Sequence, residues 1–231
     1  MLLGMGNPQN YQQKSQRVIV STSIQTQGAY TSNQLKYLRY TAFGALSLSA
    51  LFVIYLHYEL LAFQYHFYAF FLNLTTFGML SYASLKNSVS ASYDTSCKLA
   101  YSIALTVSYV GIPFYWGIIY NEEFNSGEWK NYVTPFCCGF LSLIFITFEF
   151  LINAVQFTTS NWYYSAGLCF LYLALDNWRT HVTGYNLVSI YTWIDGQSYF
   201  YAVLLIIMQI FMFFVMSIVS ENKTLSGATR N

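Results

Sequence analysis

The sequence predicts an all-α polytopic membrane protein: a bundle of about six transmembrane helices with both termini on the same side. The first observation is composition, because 55% of the 231 residues are hydrophobic, 20% are aromatic and only 8% are charged. Soluble domains carry charge on about 25% of their residues. This chain therefore has too little polar surface to coat a globule in water.

The second observation is a succession of apolar segments close to the roughly 20 residues that a helix needs to cross the hydrocarbon layer. The fifth segment is short unless Asp176, Asn177 and Trp178 continue its helix into the interface. The prediction is a polar N-terminal tail at 1–40, a transmembrane domain at 41–220 and a C-terminal tail at 221–231. The six predicted spans are 41–58, 67–85, 99–120, 133–157, 163–175 and 199–220.

The third observation is the distribution of charge between the two sides that six spans create. The loop at 121–131, with its three glutamates, falls on the side opposite the termini. Positive residues stay on the side from which a chain is inserted, so both termini are expected to face the cytosol, or the matrix of a mitochondrion. Eight of the ten cations fall on the side of the termini: Lys14, Arg17, Lys36, Arg39, Lys86, Lys98, Lys223 and Arg230.

Composition and motifs argue against several function classes. A net charge of +1 offers no basic face for nucleic acid. The four cysteines lack the paired Cys-x-x-Cys spacing of a zinc site, and no two of the three histidines share a helix face at i+3 or i+4. No Gly-x-Ser-x-Gly turn or phosphate-binding glycine loop is present. We therefore predict no metal, no cofactor and no conventional catalytic residue.

The N-terminal tail is rich in Gln, Ser, Thr and Asn, and the first carboxylate in the whole chain is Glu59. An acid-poor, hydroxyl-rich start is typical of mitochondrial targeting segments. It favours the mitochondrial inner membrane over the endoplasmic reticulum or the plasma membrane. Such a tail buries too little apolar surface to order by itself. The expected partners are membrane lipids and other membrane-protein subunits, the latter contacting this tail.

Glu149 is the clearest ionisable residue inside a predicted span, and such residues are functional candidates by default. Its carboxyl group must be protonated, paired or hydrogen-bonded. A structural hydrogen bond between helices is favoured over a proton site or a catalytic acid, so Glu149→Gln is expected to be tolerated. The candidate partners are Asn73, Thr75, Thr76, Ser102, Thr106 and His181.

The segment 176–184, DNWRTHVTG, carries a family resemblance together with the segment 191–195, YTWID, and the final hydrophobic span. Supporting elements are Asn73 with the apolar residues around it in the second span, Pro113 near the end of the third and Glu149 in the fourth. The order of these elements resembles that in the androgen-induced protein family, which includes androgen-dependent TFPI-regulating protein. His181, Thr183 and Gly184 form the most specific element.

The resemblance implies a six-span protein and a membrane-embedded threonine hydrolase of fatty acid esters of hydroxy fatty acids. Its nucleophilic threonine would lie near the start of the second span and its histidine in the fourth. The range 66–70 contains no threonine, Thr75 and Thr76 lie further along the helix, and Gly139 stands where the histidine is expected. A nucleophilic hydroxyl needs a base within hydrogen-bond reach. The expectation is a divergent member that kept the fold and lost the hydrolase.

Three hypotheses for function follow from these observations. The first is a non-catalytic accessory or structural subunit of a larger membrane complex, such as a mitochondrial respiratory or ATP synthase assembly. The second is an intramembrane lipid-ester hydrolase that uses Thr75 or Thr76 with His66 or His181. The third is a transporter or proton-conducting protein centred on Glu149. Thr183 and the candidate partners of Glu149 are assigned structural roles in the first hypothesis.

Overall fold

The computed structural model describes residues 32–86, 89–119, 133–153 and 155–228, which form helices and connections without any β-strand. The all-α fold class is thereby confirmed for this part of the chain. Most of the predicted N-terminal tail and the predicted acidic loop at 121–131 lie outside the described residues.

Six helices account for most of the described chain. A π-helical turn, Tyr115–Ile119, extends the third helix, and another, Pro135–Leu141, precedes the fourth. The helices are α1 (Ser32–His57), α2 (Tyr65–Leu85), α3 (Ala91–Phe114), α4 (Ser142–Ile152), α5 (Trp162–Thr183) and α6 (Gly196–Ala228).

Four helical segments are long and apolar enough to cross a membrane, which makes the chain an integral membrane protein. The helix α2 spans 21 residues and α5 spans 22, but neither is among these four segments. The crossing of the bilayer by α2 and α5 therefore stays a prediction. The four apolar segments are Asn33–His57, Ala91–Ile118, Pro135–Ile152 and Gly196–Lys223.

The boundaries of all six helices differ from the predicted spans, including the start of α3 at Ala91 and the end of α6 at Ala228. The helix α1 begins at Ser32, nine residues before the predicted start of the first span, so Arg39 lies within the helix and not in a tail. The helix α5 continues through Asp176 and Trp178 to Thr183, as its short apolar segment required. The helix α4 ends at Ile152, before the predicted end of its span. Apolar length marks the membrane-embedded part of a helix and does not mark where its backbone hydrogen bonding ends.

The helix α3 lies at the centre of the bundle and packs against α2, α4, α5 and α6. About 61% of the apolar stretch of α3 is buried within the protein, against 28% of that of α1. The helix α1 is therefore peripheral. One buried cluster includes Phe77, Leu105 and Ile146, and a second includes Tyr65 and Tyr172.

Side-chain contacts show which helix ends meet. Arg39 in the first turns of α1 contacts Glu149 near the end of α4. The ammonium group of Lys223 in α6 donates to the carbonyl oxygen of Phe150. The described start of α1 and the last turns of α6 therefore lie at one end of the bundle, which we call the terminal end. The end where His57 meets Thr134 is the distal end.

Close packing of α2 on α3 depends on Gly111, where an added Cβ would lie 3.1 Å from a ring carbon of Tyr65. We expect Gly111→Leu to lower stability by about 1–3 kcal/mol, the usual effect of overpacking a core. The matched control is Gly167→Leu in α5, because nothing lies within 4 Å of a Cβ there. Thermal unfolding in detergent measures both variants. Equal melting temperatures for the two variants would contradict this packing.

Candidate functional site

The buried carboxylate of Glu149 is paired with the guanidinium group of Arg39. The Nε and Nη2 atoms of Arg39 donate to Oε1 of Glu149 at 3.0 and 2.6 Å. The side chain of Arg39 is 2% exposed and that of Glu149 is 0% exposed. The sequence allowed this carboxyl group to be protonated, paired or hydrogen-bonded, and in the structure it is paired with Arg39.

Three further side chains complete this polar cluster, which we call the Arg39–Glu149 cluster. Nη1 of Arg39 donates to the hydroxyl oxygen of Ser84 at 2.9 Å, and Nδ2 of Asn153 donates to Oε1 of Glu149 at 3.2 Å. The hydroxyl of Ser81 donates to the backbone carbonyl oxygen of Arg39 at 3.1 Å. The cluster therefore joins α1, α2 and α4 at the terminal end.

Burial makes this pair sensitive to the loss of one partner. Two charges removed from water lose several kcal/mol of hydration each, and their mutual attraction repays this only with good geometry and additional hydrogen bonds. Removing one partner of such a pair leaves an uncompensated buried charge and costs about 3–5 kcal/mol. The arrangement makes Glu149 a cross-link between helices.

Among the described residues, Arg39 and Asn153 donate the side-chain hydrogen bonds to Glu149, in place of the six partners that the sequence offered. Nδ2 of Asn73 donates to the hydroxyl oxygens of Ser108 at 2.8 Å and Ser142 at 2.5 Å. Asn73 is fully buried. It therefore joins α2, α3 and α4 in a separate cluster.

The other helical hydroxyl groups serve local or interhelical bonds. Thr75 is exposed and donates to the carbonyl oxygen of Phe71 one turn earlier, at 2.8 Å. The hydroxyl of Ser102 donates to the carbonyl oxygen of Leu99. The hydroxyl of Thr76 is buried and has no hydrogen-bond partner within the described part of the chain.

A third interhelical cluster joins α3, α5, α6 and α2. The hydroxyl groups of Thr106 and Ser165 are 3.0 Å apart, and Nε2 of Gln209 donates to Ser165 Oγ at 2.5 Å. The hydroxyl of Tyr65 donates to Oε1 of Gln209 at 3.0 Å. The polar residue Gln209, inside the most apolar helix, is thus accommodated by a chain of hydrogen bonds.

The element that carries the family resemblance forms the C-terminus of α5. The hydroxyl of Thr183 donates to the carbonyl oxygen of Arg179 at 3.0 Å, and His181 is exposed. Gly184 has a φ of 73° and its N–H donates to the carbonyl oxygen of Thr180. A residue with positive φ is the usual end of a helix, and glycine adopts it without steric strain. These residues end a helix.

The loop before α6 is fixed to the distal end by Trp193. Its indole N–H donates to Oδ2 of Asp176 at 2.8 Å, and its backbone has a φ of 58°, unusual for a residue with a bulky side chain. Asp195 caps α6, because its Oδ1 accepts from the N–H and the hydroxyl of Ser198 at 2.9 Å each. These two hydrogen bonds, the backbone one first, hold the pKa of Asp195 below its usual value.

The distal end also contains a contact between a hydroxyl group and an imidazole that the sequence analysis missed. Oγ1 of Thr134 lies 2.5 Å from Nε2 of His57. The ring of His66 packs between Phe67 and Tyr115, with centroid distances of 4.1 and 4.0 Å. No sequence spacing relates Thr134 to His57, because they lie 77 positions apart.

The described residues contain no group of three or more His, Cys, Asp or Glu side chains that would hold a metal ion. Cys97, Cys138 and Cys169 are buried and Cys137 is partly buried. Within that part of the chain, the Arg39–Glu149 cluster and the clusters of Asn73 and Gln209 are contacts between helices.

The fold and these contacts define the class of the protein as an integral membrane helical bundle stabilised by buried polar clusters. Comparison with protein-family models, with curated proteins and with solved structures gave no match. The resemblance to the androgen-induced protein family therefore stays a prediction.

The sequence contains a helical pattern that indicates the burial of Arg39. Leu35, Arg39, Ala42 and Leu46 recur at intervals of four, three and four residues, and all four are buried. Such a pattern places Arg39 on the buried face of a helix. The predicted tail at 1–40 included Arg39, so this residue was not among the candidate partners of Glu149.

We expect Arg39→Met and Glu149→Gln each to lower the free energy of unfolding by about 3–5 kcal/mol, since each leaves a partner charge buried without compensation. This revises the sequence-based expectation that Glu149→Gln is tolerated. The double variant Arg39→Met/Glu149→Met should recover most of the loss, because it removes both charges. The free energies of unfolding for this double-mutant cycle are measured in mixed micelles with an increasing fraction of dodecyl sulfate.

The control for this cycle is the more exposed pair of Asp94 and Lys98 on α3, whose charged atoms are 2.8 Å apart. Lys98→Met should lower stability by no more than about 0.5 kcal/mol, as for other i,i+4 pairs. Additive losses in the Arg39 and Glu149 variants would contradict a direct interaction between the two.

Proposed function

We propose that this chain is a non-catalytic structural subunit of a larger membrane assembly, with six helices crossing the mitochondrial inner membrane. A respiratory or ATP synthase complex is the kind of assembly that fits. The acid-poor N-terminal sequence supports the choice of membrane.

The Arg39–Glu149 cluster is the observation that carries the proposal. A proton carrier must bind and release its proton in each cycle, but this carboxylate accepts two hydrogen bonds from a buried guanidinium and one from Asn153. Breaking these contacts would leave the guanidinium group of Arg39 buried without its partner. The geometry supports a structural role for Glu149 over transport.

The outer surface of α1 is available for contact with a neighbouring subunit or with lipid. The helix buries one face against the bundle and presents large side chains on the other, including Tyr37, Leu48, Leu51 and Tyr55. Aromatic and aliphatic surface of this kind suits lipid chains or the helices of neighbouring subunits equally well.

An intramembrane ester hydrolase is the second candidate, and the contact between Thr134 and His57 favours it. A hydroxyl group within 2.5 Å of an imidazole nitrogen meets the distance requirement for an activated nucleophile. The pairs named by the sequence fit less well, because Thr75 lies nine residues from His66 on α2, about 13–14 Å along the helix axis.

The proposed topology places the terminal end of the bundle at the cytosolic or matrix side, because eight of the ten cations were assigned there. We expect Asn10→Cys and Ser226→Cys to react with an impermeant maleimide from that side. Ser126→Cys should react only from the other side. The measurement uses a variant without native cysteines in sealed, oriented vesicles. Reaction of position 126 from the same side as position 10 would refute six spans.

Native-gel electrophoresis of digitonin-solubilised membranes tests the assembly. We expect migration far above the 26.6 kDa of the chain, and a smaller assembled fraction for Arg39→Met because α1 loses its anchor. The Arg39→Met/Glu149→Met variant should restore assembly. Migration at the mass of the chain or of a small oligomer would contradict the proposal.

A fluorophosphonate probe separates the hydrolase from the structural subunit. No labelling is expected from a structural subunit. Stoichiometric labelling that Thr134→Ala removes would establish the second candidate instead. Thr95→Ala is the matched control, because the hydroxyl of Thr95 donates only to the backbone of its own helix. Loss of labelling in Thr75→Ala or Thr76→Ala would point to the sites named by the sequence.

A further inference from the structure

A groove of about 300 Å³ lies between α2 and α5 on the outer surface of the bundle. Phe71, Leu72 and Thr75 of α2 line one wall and Leu168 of α5 lines the other. Leu61, in the connection between α1 and α2, lies at its distal end. Both helices pack on α3, which leaves the groove between them open to the bilayer.

The polar atoms of the groove are already hydrogen-bonded. The hydroxyl of Tyr68 donates to the carbonyl oxygen of Ala62 at 2.8 Å, and that of Thr75 donates to Phe71. An occupant therefore meets methyl, methylene and ring surfaces and needs no polar group of its own within the groove. A single turn of a transmembrane helix, about 5.4 Å long and 10–12 Å across, already exceeds the volume of this groove. An acyl chain is thinner than a helix and matches the apolar lining.

A cation lies beyond the distal end of the groove. The guanidinium of Arg179 lies over the ring of Phe63, 5.4 Å from its centroid, two residues after Leu61. Its Nη1 donates to the carbonyl oxygen of Tyr185 at 3.2 Å. Arginine has five N–H donors and binds phosphate through two of them at once. The nearby carboxylate of Asp176 already accepts the indole N–H of Trp193.

We propose that this groove binds one acyl chain of an anionic phospholipid whose phosphate contacts Arg179. The chain runs from Leu61 towards Thr75, and the phosphate lies at the level of the distal headgroups. The site depends on the chain being embedded in a bilayer and is independent of whether it joins a larger assembly.

The test uses the full-length protein in phosphatidylcholine nanodiscs that contain phosphatidylglycerol with a diazirine in one acyl chain. After illumination, mass spectrometry maps the labelled residues. We expect labelling concentrated in the segment 61–75. Leu168→Trp should reduce it at least fivefold by filling the groove, and Thr75→Phe should do the same from the opposite wall. The control Leu171→Trp, at an exposed position of α5 outside the groove, should leave it unchanged.

Arg179→Gln tests the headgroup contact. It should reduce labelling by the phosphatidylglycerol probe at least threefold and leave labelling by the matching phosphatidylcholine probe unchanged. Labelling spread evenly over the exposed faces of α1 and α6, or equal effects of Leu168→Trp and Leu171→Trp, would overturn the acyl-chain site. Equal labelling by both probes before and after Arg179→Gln would overturn the assignment of the phosphate.

Discussion

The ion pair between Arg39 and Glu149 is the constraint on which the arrangement of the helices depends. Arg39 lies two turns into α1, and its three donor groups reach Glu149 of α4 and Ser84 of α2. A rotation of α1 by one residue would turn the guanidinium away from this carboxylate and leave both charges unpaired in a medium of low dielectric. The pair therefore selects one rotation and one depth for a helix that otherwise buries only a narrow apolar face.

The remaining polar clusters fix the inner helices in the same way. Apolar side chains discriminate weakly between packed and lipid-exposed positions, because lipid tails are as apolar as leucine. Hydrogen bonds from Asn73 to α3 and α4, and from Gln209 to α5, have defined directions. Each one stabilises a particular register of its helix. Polar residues that look unfavourable in a hydropathy profile therefore specify how this bundle packs.

The helical class follows from the length of the apolar segments, because a helix crosses the membrane with about 20 residues and a strand with only about 10. The identity of the partner of Glu149 could not be predicted from composition. The candidate partners lay inside or just beyond predicted spans, whereas Arg39 fell in the predicted N-terminal tail. The helical spacing of Leu35, Ala42 and Leu46 around Arg39 indicates that Arg39 lies on the buried face of the helix. The contact of His57 with Thr134 depends on how distant helix ends meet, which no local pattern reports.

The distribution of polar contacts also bears on where a neighbouring subunit would bind. At the distal end, Trp193 and Asp176 tie the loop before α6 to α5, so that surface is already occupied by the chain itself. On the outer face of α1, Leu51 and Tyr55 are exposed, and nothing lies within 4 Å of a Cβ at Gly44. A helix that docked there would bury apolar surface without breaking an existing hydrogen bond. The same buried ion pair that anchors α1 inside the bundle keeps this outer face in a fixed orientation, which is the property that a binding surface requires.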